Sequence, residues 1–241
     1  MREEKKPSAQ SKLYQSILIF LLALASITVA SYAWFSLSDN VGVNTMKLDI
    51  TNGHLLRMDI EPHKTVDEYY RVLDGERTFE KSGNKELYPV TSEDGVNFYN
   101  EDGDSNTDTI QTYLEVPLHF MASQDMYVHL SGRDQSGDGE GTFVSGTKSV
   151  EQAMRISFTA NGVTKIHEPS GETGGTFTLD GVRDYREEDT LFYIEKEKNQ
   201  EVMMRIWIEG TDPQCTDELR EALYEIELHF VGTDENHEPY M

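Results

Sequence analysis

Four oxygen-bearing side chains stand at alternating positions in one acidic segment of the chain. Asp102, Asp104, Asn106 and Asp108 have the spacing with which calcium-binding loops wrap oxygen ligands around the ion. The complete EF-hand pattern is missing, because its sixth position lacks glycine and no flanking helices are predicted. The segment therefore carries a hypothesis of calcium binding, and a solvated acidic turn is the alternative.

Three residues of metal-ligating type fall on two neighbouring predicted strands. Glu115, His119 and His129 would share the exposed face of one hairpin, and zinc accepts such ligands. The helical His-Glu-x-x-His arrangement is missing, and solvated surface histidines are the alternative. The sequence also has no Gly-x-Ser-x-Gly elbow, phosphate loop or dinucleotide fingerprint. We therefore expect a non-enzymatic protein without catalytic residues and without a cofactor, calcium excepted.

The chain contains one cysteine, Cys215. A single cysteine excludes an internal disulfide and any site built from several cysteines. In an exported protein a lone cysteine can bridge two chains. The favoured alternative is a small residue packed beneath the loop that follows the strand ending near Glu209, because unpaired cysteines are usually buried.

The charge balance excludes one class of partner. The chain has 21 Lys and Arg against 44 Asp and Glu, which gives a net charge of −23. Nucleic-acid binding draws its affinity from clustered basic residues, and an acidic surface repels the phosphate backbone. We therefore expect no nucleic-acid partner.

The amino end contains a long apolar run. No charged residue lies between Lys12 and Asp39, and residues 16–35 are mostly apolar. A helix of this length spans about 30 Å, the thickness of a bilayer's hydrocarbon core. Four basic residues precede the run, so the positive-inside rule keeps the amino end in the cytoplasm and places residues 39–241 outside.

Two fates of this run stay open. Ser31-Tyr32-Ala33 has small residues at both ends, as signal peptidase requires, so cleavage after Ala33 would release the protein to the cell surface or medium. Alternatively the run remains as an anchor in the cell membrane, with Tyr32, Trp34 and Phe35 in the outer aromatic belt. In both cases most of the chain is exported.

Beyond the apolar run, hydrophobic residues alternate with polar ones at a period of two. The clearest sets are Met46/Leu48/Ile50, Leu56/Met58/Ile60, Leu114/Val116/Leu118/Phe120, Met126/Val128/Leu130, Met154/Ile156/Phe158, Val202/Met204/Ile206/Ile208 and Tyr224/Ile226/Leu228/Phe230. Turn residues 51–53 and 161–162 predict hairpins over 45–60 and 154–166. The pattern predicts an all-β fold, an antiparallel β-sandwich of jelly-roll or immunoglobulin-like kind over 39–241, behind a signal or transmembrane helix in 1–38.

Two regions resemble a known family. The stretch Ala-Ser-Tyr-Ala-Trp-Phe-Ser-Leu-Ser-Asp-Asn at 30–40, followed by Thr-Met-Lys-Leu-Asp-Ile at 45–50, resembles the amino end of the TasA/camelysin family of exported Gram-positive proteins. Residues 202–210 and 224–230 resemble the closing strands of related surface proteins. The resemblance implies a jelly-roll-like sandwich at the cell surface or in the biofilm matrix, assembling into fibres. Camelysin is also described as a metal-dependent protease, but this chain has no motif to which that chemistry can be assigned.

Cleavage after Ala33 would create an assembly strand. The new amino end would carry Trp34, and Phe35/Leu37 and Val41/Val43 each alternate at a period of two. Such a segment can add to a neighbour's open sheet, with backbone hydrogen bonds supplying affinity and apolar side chains supplying register. The alternative is that these residues begin the domain's own first strand.

The function expected from the sequence is structural. We expect an exported protein of the cell surface or extracellular matrix that acts through protein–protein contacts, including self-association into fibres. One alternative is a membrane-tethered module that binds cations or an extracellular polymer. The other is a secreted metal-dependent protease of camelysin type.

Overall fold

The computed structural model describes residues 18–20, 41–51, 55–82, 86–100, 112–132, 141–168 and 185–240. The chain divides into two compact units, Met1–Asp39 and Asn40–Met241. In the first unit, Leu18, Ile19 and Phe20 are helical and exposed. Among the described residues, no helix combines the length and apolar character needed to cross a membrane.

The second unit is built mainly from strands. In chain order they are β1 (Val41–Ile50), β2 (Leu56–Asp59), β3 (Val72–Asp74), β4 (Glu86–Leu87), β5 (Pro89–Val90), β6 (Leu114–Ala122), β7 (Met126–Leu130), β8 (Phe143–Gly146), β9 (Met154–Ala160), β10 (Val163–His167), β11 (Phe192–Ile194), β12 (Gln200–Glu209) and β13 (Leu223–Thr233). One α-helix, α1 (Gly75–Ser82), and four short 3₁₀ helices (Val66–Glu68, Thr147–Gln152, Glu187–Asp189 and Asp217–Leu219) complete the described elements.

The strands form two sheets that share one hydrophobic core. The first sheet has the order β11-β7-β13-β1-β3, with β4 on β1 and β8 on β13; the second has the order β10-β9-β12-β6-β2, with β5 on β12. An all-β sandwich is therefore confirmed. The sheets are mixed rather than purely antiparallel, because β1 runs parallel to β13 and β5 runs parallel to β12.

Aromatic rings join the two sheets across the core. Phe120 of the second sheet lies 5.0 Å from Phe192 and 5.1 Å from Phe230 of the first, measured between ring centroids. Phe158 of the second sheet lies 5.8 Å from Phe230. Tilted and edge-to-face contacts at these distances are the favoured aromatic geometries. The inward residues predicted from the alternation, such as Phe120 and Phe230, are indeed fully buried.

One predicted hairpin is confirmed and one is wrong. β9 and β10 pair through Asn161 and Gly162, whose φ angles of 52° and 79° suit a type I′ turn. The predicted 45–60 hairpin does not form, because β1 joins the first sheet and β2 joins the second. Crossing between sheets buries the same apolar faces as a hairpin would, so the local pattern does not distinguish the two arrangements.

The segment 62–90 contains α1. Thr78, Phe79 and Ser82 form its buried side. The carboxylate of Asp74 accepts a hydrogen bond from the backbone N–H of Arg77 and so caps the amino end of the helix. Near the carboxyl end, Asp217–Leu219 form a single 3₁₀ turn with Thr216 at its N-cap.

Candidate functional site

Most residues singled out for binding or processing lie outside the described part of the chain. These are the calcium candidates Asp102, Asp104, Asn106 and Asp108, the cleavage residue Ala33, and the assembly residues Trp34, Phe35 and Leu37. The calcium site and the cleavage event therefore stay predictions.

The remaining assembly residues belong to the domain's own sheet. Val41 and Val43 lie in β1, which is paired with β13 on one side and with β3 and β4 on the other. Val41 is 1% exposed and forms part of the main core. At these two positions the structure agrees with the alternative interpretation, in which the segment begins the domain's own first strand.

The structure does not bring Glu115, His119 and His129 together. β6 and β7 belong to different sheets, so these residues do not share a hairpin face, and the zinc interpretation is wrong in its geometry. Glu115 is instead 2.6 Å from Arg205 Nε, and the His119 ring contacts Asn199. Within the described ranges, no group of three or more His, Cys, Asp or Glu side chains could hold a metal ion.

A cleft of about 970 Å³ opens on the outer face of the second sheet. We call it the acidic cleft. Its lining comes from residues 91–94 and 99, from Trp207, Glu209 and residues 211–213 at the end of β12, and from Arg155, Ile166 and Glu168.

The floor of the acidic cleft is a small second core. Trp207 alternates with the inward-facing Ile206 and Ile208 of β12, so its indole is on the outer face, where the segment 86–100 covers it. Phe98 lies edge-to-face on Trp207 at 5.3 Å and stacks on Tyr113 at 3.9 Å. Trp207 is fully buried as a result. The covering segment is thereby fixed to the sheet.

Glu209 ties the two walls of the cleft together. Its Oε2 accepts hydrogen bonds from the Trp207 indole at 3.0 Å and from the Ser92 backbone N–H at 3.2 Å. Its Oε1 accepts the Thr211 hydroxyl at 2.7 Å and the Thr211 N–H at 3.2 Å. The pKa of Glu209 is lowered overall. Burial by itself would raise this pKa, but hydrogen bonds from Thr91, Trp207 and Thr211 outweigh the effect of burial. Glu209 is thus a charged residue with a positioning role.

Asp94 organises the rim of the cleft. Its Oδ1 accepts the backbone N–H groups of Val96 at 2.9 Å and Asn97 at 2.7 Å. These bonds lower the pKa of Asp94 to about 2. The next residue, Gly95, has a φ of +67°, and a Cβ there would lie 2.8 Å from Ser157 Cβ. The turn therefore requires glycine at this position.

The charges in the cleft are unbalanced. In the part of the chain that the structure describes, five carboxylates line it against the single guanidinium of Arg155; they belong to Glu93, Asp94, Glu168, Glu209 and Asp212. Arg155 lies 2.5 Å from Asp212 and 3.8 Å from Glu168. Glu93 is exposed, and the side chain of Glu168 is 56% exposed. The cleft therefore presents uncompensated negative charge to solvent.

Cys215 lies close to the cleft and is half-buried against the main core. Burial raises the pKa of its thiol to about 11, with further contributions from Asp212, Glu209 and Asp217. The thiol is therefore protonated at neutral pH and is a weak nucleophile. The packed environment agrees with the favoured sequence interpretation.

A second buried carboxylate lies at the other end of the same sheet. Asp59 has no exposed surface, and it accepts hydrogen bonds from His63 Nε2 at 2.7 Å, Arg77 Nη2 at 3.0 Å and the Ile60 N–H at 2.7 Å. Arg77 also lies over the ring of Tyr70 at 4.6 Å. These contacts fasten α1 to the end of β2.

Sequence reasoning missed the acidic cleft. The signal was present in β12, where Trp207 occupies an outward position between Arg205 and Glu209. An indole on a face expected to be solvated indicates that another segment covers that face. The covering segment 86–100 has no period of its own, so its place could not be inferred.

Comparisons of the chain with protein-family models, with curated proteins and with solved structures find no match.

Proposed function

We propose that the chain is an exported, non-enzymatic protein of the cell surface or extracellular matrix that acts through protein–protein contacts. The acidic cleft is the contact surface, and its partner is a basic segment of another polypeptide. The apolar run at 16–35 supports export, with the second unit outside the membrane. The resemblance to the TasA/camelysin family supports the same location.

The observation that carries this proposal is the charge imbalance of the cleft. The carboxylates of Asp94 and Glu209 are already bound by hydrogen-bond donors of the chain itself, whereas Glu93 and Glu168 are exposed at the rim. Among the described residues of the lining, Arg155 is the only cation. A lysine or arginine side chain entering the cleft would pair with these exposed carboxylates, and a net charge of −23 would attract the segment that carries it.

The rigidity of the cleft favours binding. Its floor is a buried indole and its walls are joined through Glu209, so the rim is held in place before the partner arrives. A preorganised site loses less conformational entropy on association than a mobile one.

Binding of a lysine-rich peptide to the full chain in neutral detergent tests the proposal. Fluorescence anisotropy of the labelled peptide should show at least fivefold weaker binding to E93Q/E168Q. The matched control is E187Q/E218Q, which removes the same charge from exposed positions outside the cleft and should change affinity by less than twofold. Equal weakening in the two variants would refute the cleft as the binding surface.

A second candidate function is fibre formation by strand exchange. It is favoured by β1, the first described strand of the second unit, which pairs along Gly42–Ile50 with β13 in parallel and buries Met46, Leu48 and Ile50 in the core. An amino-terminal strand of another copy that occupied this position would link two subunits.

The variant F35S/L37S tests strand exchange without altering β1. Electron microscopy of the exported wild-type protein should show filaments that lengthen with concentration, and the variant should remain in short species. The matched control is S36A/S38A, which changes the two neighbouring polar positions and should leave filaments intact. Filaments of equal length in F35S/L37S would contradict this candidate.

A further inference from the structure

The carboxy-terminal segment 234–240 lies against β7 and the end of β13. Thr233 bridges to Pro239, the Tyr240 N–H donates to the Gly232 carbonyl at 3.2 Å, and the Tyr240 hydroxyl donates to the Asp125 carbonyl at 3.1 Å. These bonds hold the segment as a short tight turn. His237 is in this turn with a φ of 62°, and its ring lies 5.0 Å from that of Tyr127.

Two imidazole nitrogens meet beneath this turn. Nε2 of His129, on β7, lies 3.2 Å from Nδ1 of His237, and the ring planes are 85° apart. His129 is fully buried, whereas His237 is half-buried at the surface. A buried imidazole is thus paired with one that solvent can reach.

The two nitrogens of the buried His129 ring have different surroundings. Its Nε2 lies against His237 Nδ1, whereas its Nδ1 makes no hydrogen bond among the described residues. The tautomer with the proton on Nδ1 leaves the Nε2 lone pair directed to His237.

The separation of these nitrogens fits two adjacent ligands of one metal ion. With metal–nitrogen bonds of about 2.0–2.1 Å, adjacent ligands stand about 2.9 Å apart in square-planar geometry and about 3.3 Å apart in tetrahedral geometry. The observed 3.2 Å lies between these values. We propose that His129 Nε2 and His237 Nδ1 bind a divalent transition-metal ion of the copper or zinc class, with water completing its coordination.

Proton balance and charge both allow this binding. The hydrogen bond between the rings needs a proton on one of the two facing nitrogens. Binding of the ion to both nitrogens therefore requires that proton to move to the far nitrogen of its own ring, a change of tautomer without net proton release. Carboxylates surround the turn, because Asp125, Asp234 and Glu235 all act on the neighbouring Tyr240 electrostatically. Asp234 also accepts the N–H groups of Asn236 at 2.8 Å and Glu238 at 2.9 Å, which fixes the backbone around His237.

Electron paramagnetic resonance of Cu²⁺ added to the full chain in neutral detergent tests the site. One equivalent should give nitrogen hyperfine splitting from two imidazoles, and thermal unfolding should shift upward by several degrees. The variant H237A should lose both signals and still fold, because His237 is at the surface. The control H54A, which removes an imidazole elsewhere in the sequence, should keep them.

Two results would overturn the proposal. One is a wild-type spectrum with oxygen ligands alone, which would assign the ion to surface carboxylates and leave the histidines as a hydrogen-bonded pair. The other is a two-nitrogen spectrum that H237A leaves unchanged.

Discussion

The indole nitrogen of Trp207 donates to Glu209 Oε2 across 3.0 Å, between residues two positions apart on the same face of β12. Both side chains are on the side of the second sheet that faces away from the main core. A buried donor and a buried carboxylate here satisfy each other, and the carboxylate in turn holds the segment that covers them. The acidic cleft therefore depends on this pair for its shape.

Removing this carboxylate should destabilise the protein. E209A leaves the Trp207 and Ser92 N–H groups buried without an acceptor, and we expect a loss of about 3 kcal/mol in the free energy of unfolding, since each such group costs about 1–3 kcal/mol. Urea unfolding followed by tryptophan fluorescence measures this loss. E201A, at an exposed position of the same strand, should change stability by less than about 0.5 kcal/mol. Similar stability of the two variants would show that Glu209 has no positioning role.

Removing the buried carboxylate of Asp59 should destabilise the protein more than removing that of Glu209. D59A leaves the Arg77 guanidinium without its buried partner, and we expect a loss of about 3–5 kcal/mol in the free energy of unfolding. The exposed D67A is the control and should lie close to the wild type in urea unfolding. If D59A unfolds at the same urea concentration as the wild type, the contacts of Asp59 with His63 and Arg77 do not stabilise the packing of α1 against β2.

Gly146 and Gly210 provide a matched pair of glycine substitutions. A Cβ at Gly146 would lie 2.4 Å from Val150 Cγ1 and 2.8 Å from the Leu223 carbonyl, whereas at Gly210 the nearest atom would be 3.6 Å away. G146A should therefore cost about 1–3 kcal/mol through overpacking. G210A should be nearly neutral. Thermal unfolding of both variants checks the order, and a melting temperature of G146A at or above that of G210A would contradict it.

Stability should fall with acidification because of His129. Its pKa is lowered from 6.5 to about 4 in the folded chain, so between these pH values the unfolded chain binds a proton that the folded chain does not. Stability is therefore fully present above pH 6.5 and is lost as the pH falls toward 4, by an amount on the order of 2 kcal/mol.

The variant H129Q isolates this contribution. Urea unfolding at several pH values in the presence of a chelator should give a shallower slope for H129Q than for the wild type. His167, whose pKa burial also lowers to about 4, should supply part of the slope that remains. Identical slopes in the two proteins would exclude His129 as a source of the pH dependence.

The alternation of residue types predicted the inner faces of the strands correctly. Tyr224 and Phe230 of β13 are buried as expected. Every second side chain of a strand points to the same face, so apolar residues with this spacing are buried together. The same pattern did not identify the strand partners. β1 and β2 bury equivalent faces whether they pair with each other or with opposite sheets, so the choice depends on residues far away in sequence.

The acidic cleft escaped prediction for a related reason. The alternation of Ile206 and Ile208 puts Trp207 on the outer face of β12, but the burial of Trp207 depends on Phe98 and Val90, which lie in a segment without periodicity. His129 and His237 meet across more than a hundred residues of chain, and the separation is 108. No spacing rule connects residues at that distance, whereas the antiparallel pairing of β7 with β13 and the final turn bring these two histidines together.

The pairing of β1 with β13 sets the order in which the fold can be completed. Lys47 on β1 contacts Glu227 on β13, and 180 positions separate them along the chain. During synthesis β1 emerges long before β13, and the edge of β1 that pairs with β13 stays unpaired until then. The first sheet closes only after residue 233 is available, which makes folding slow and late, as expected for contacts of such long range. A chain whose first sheet is completed by its last strand cannot finish folding until nearly all of it has been made.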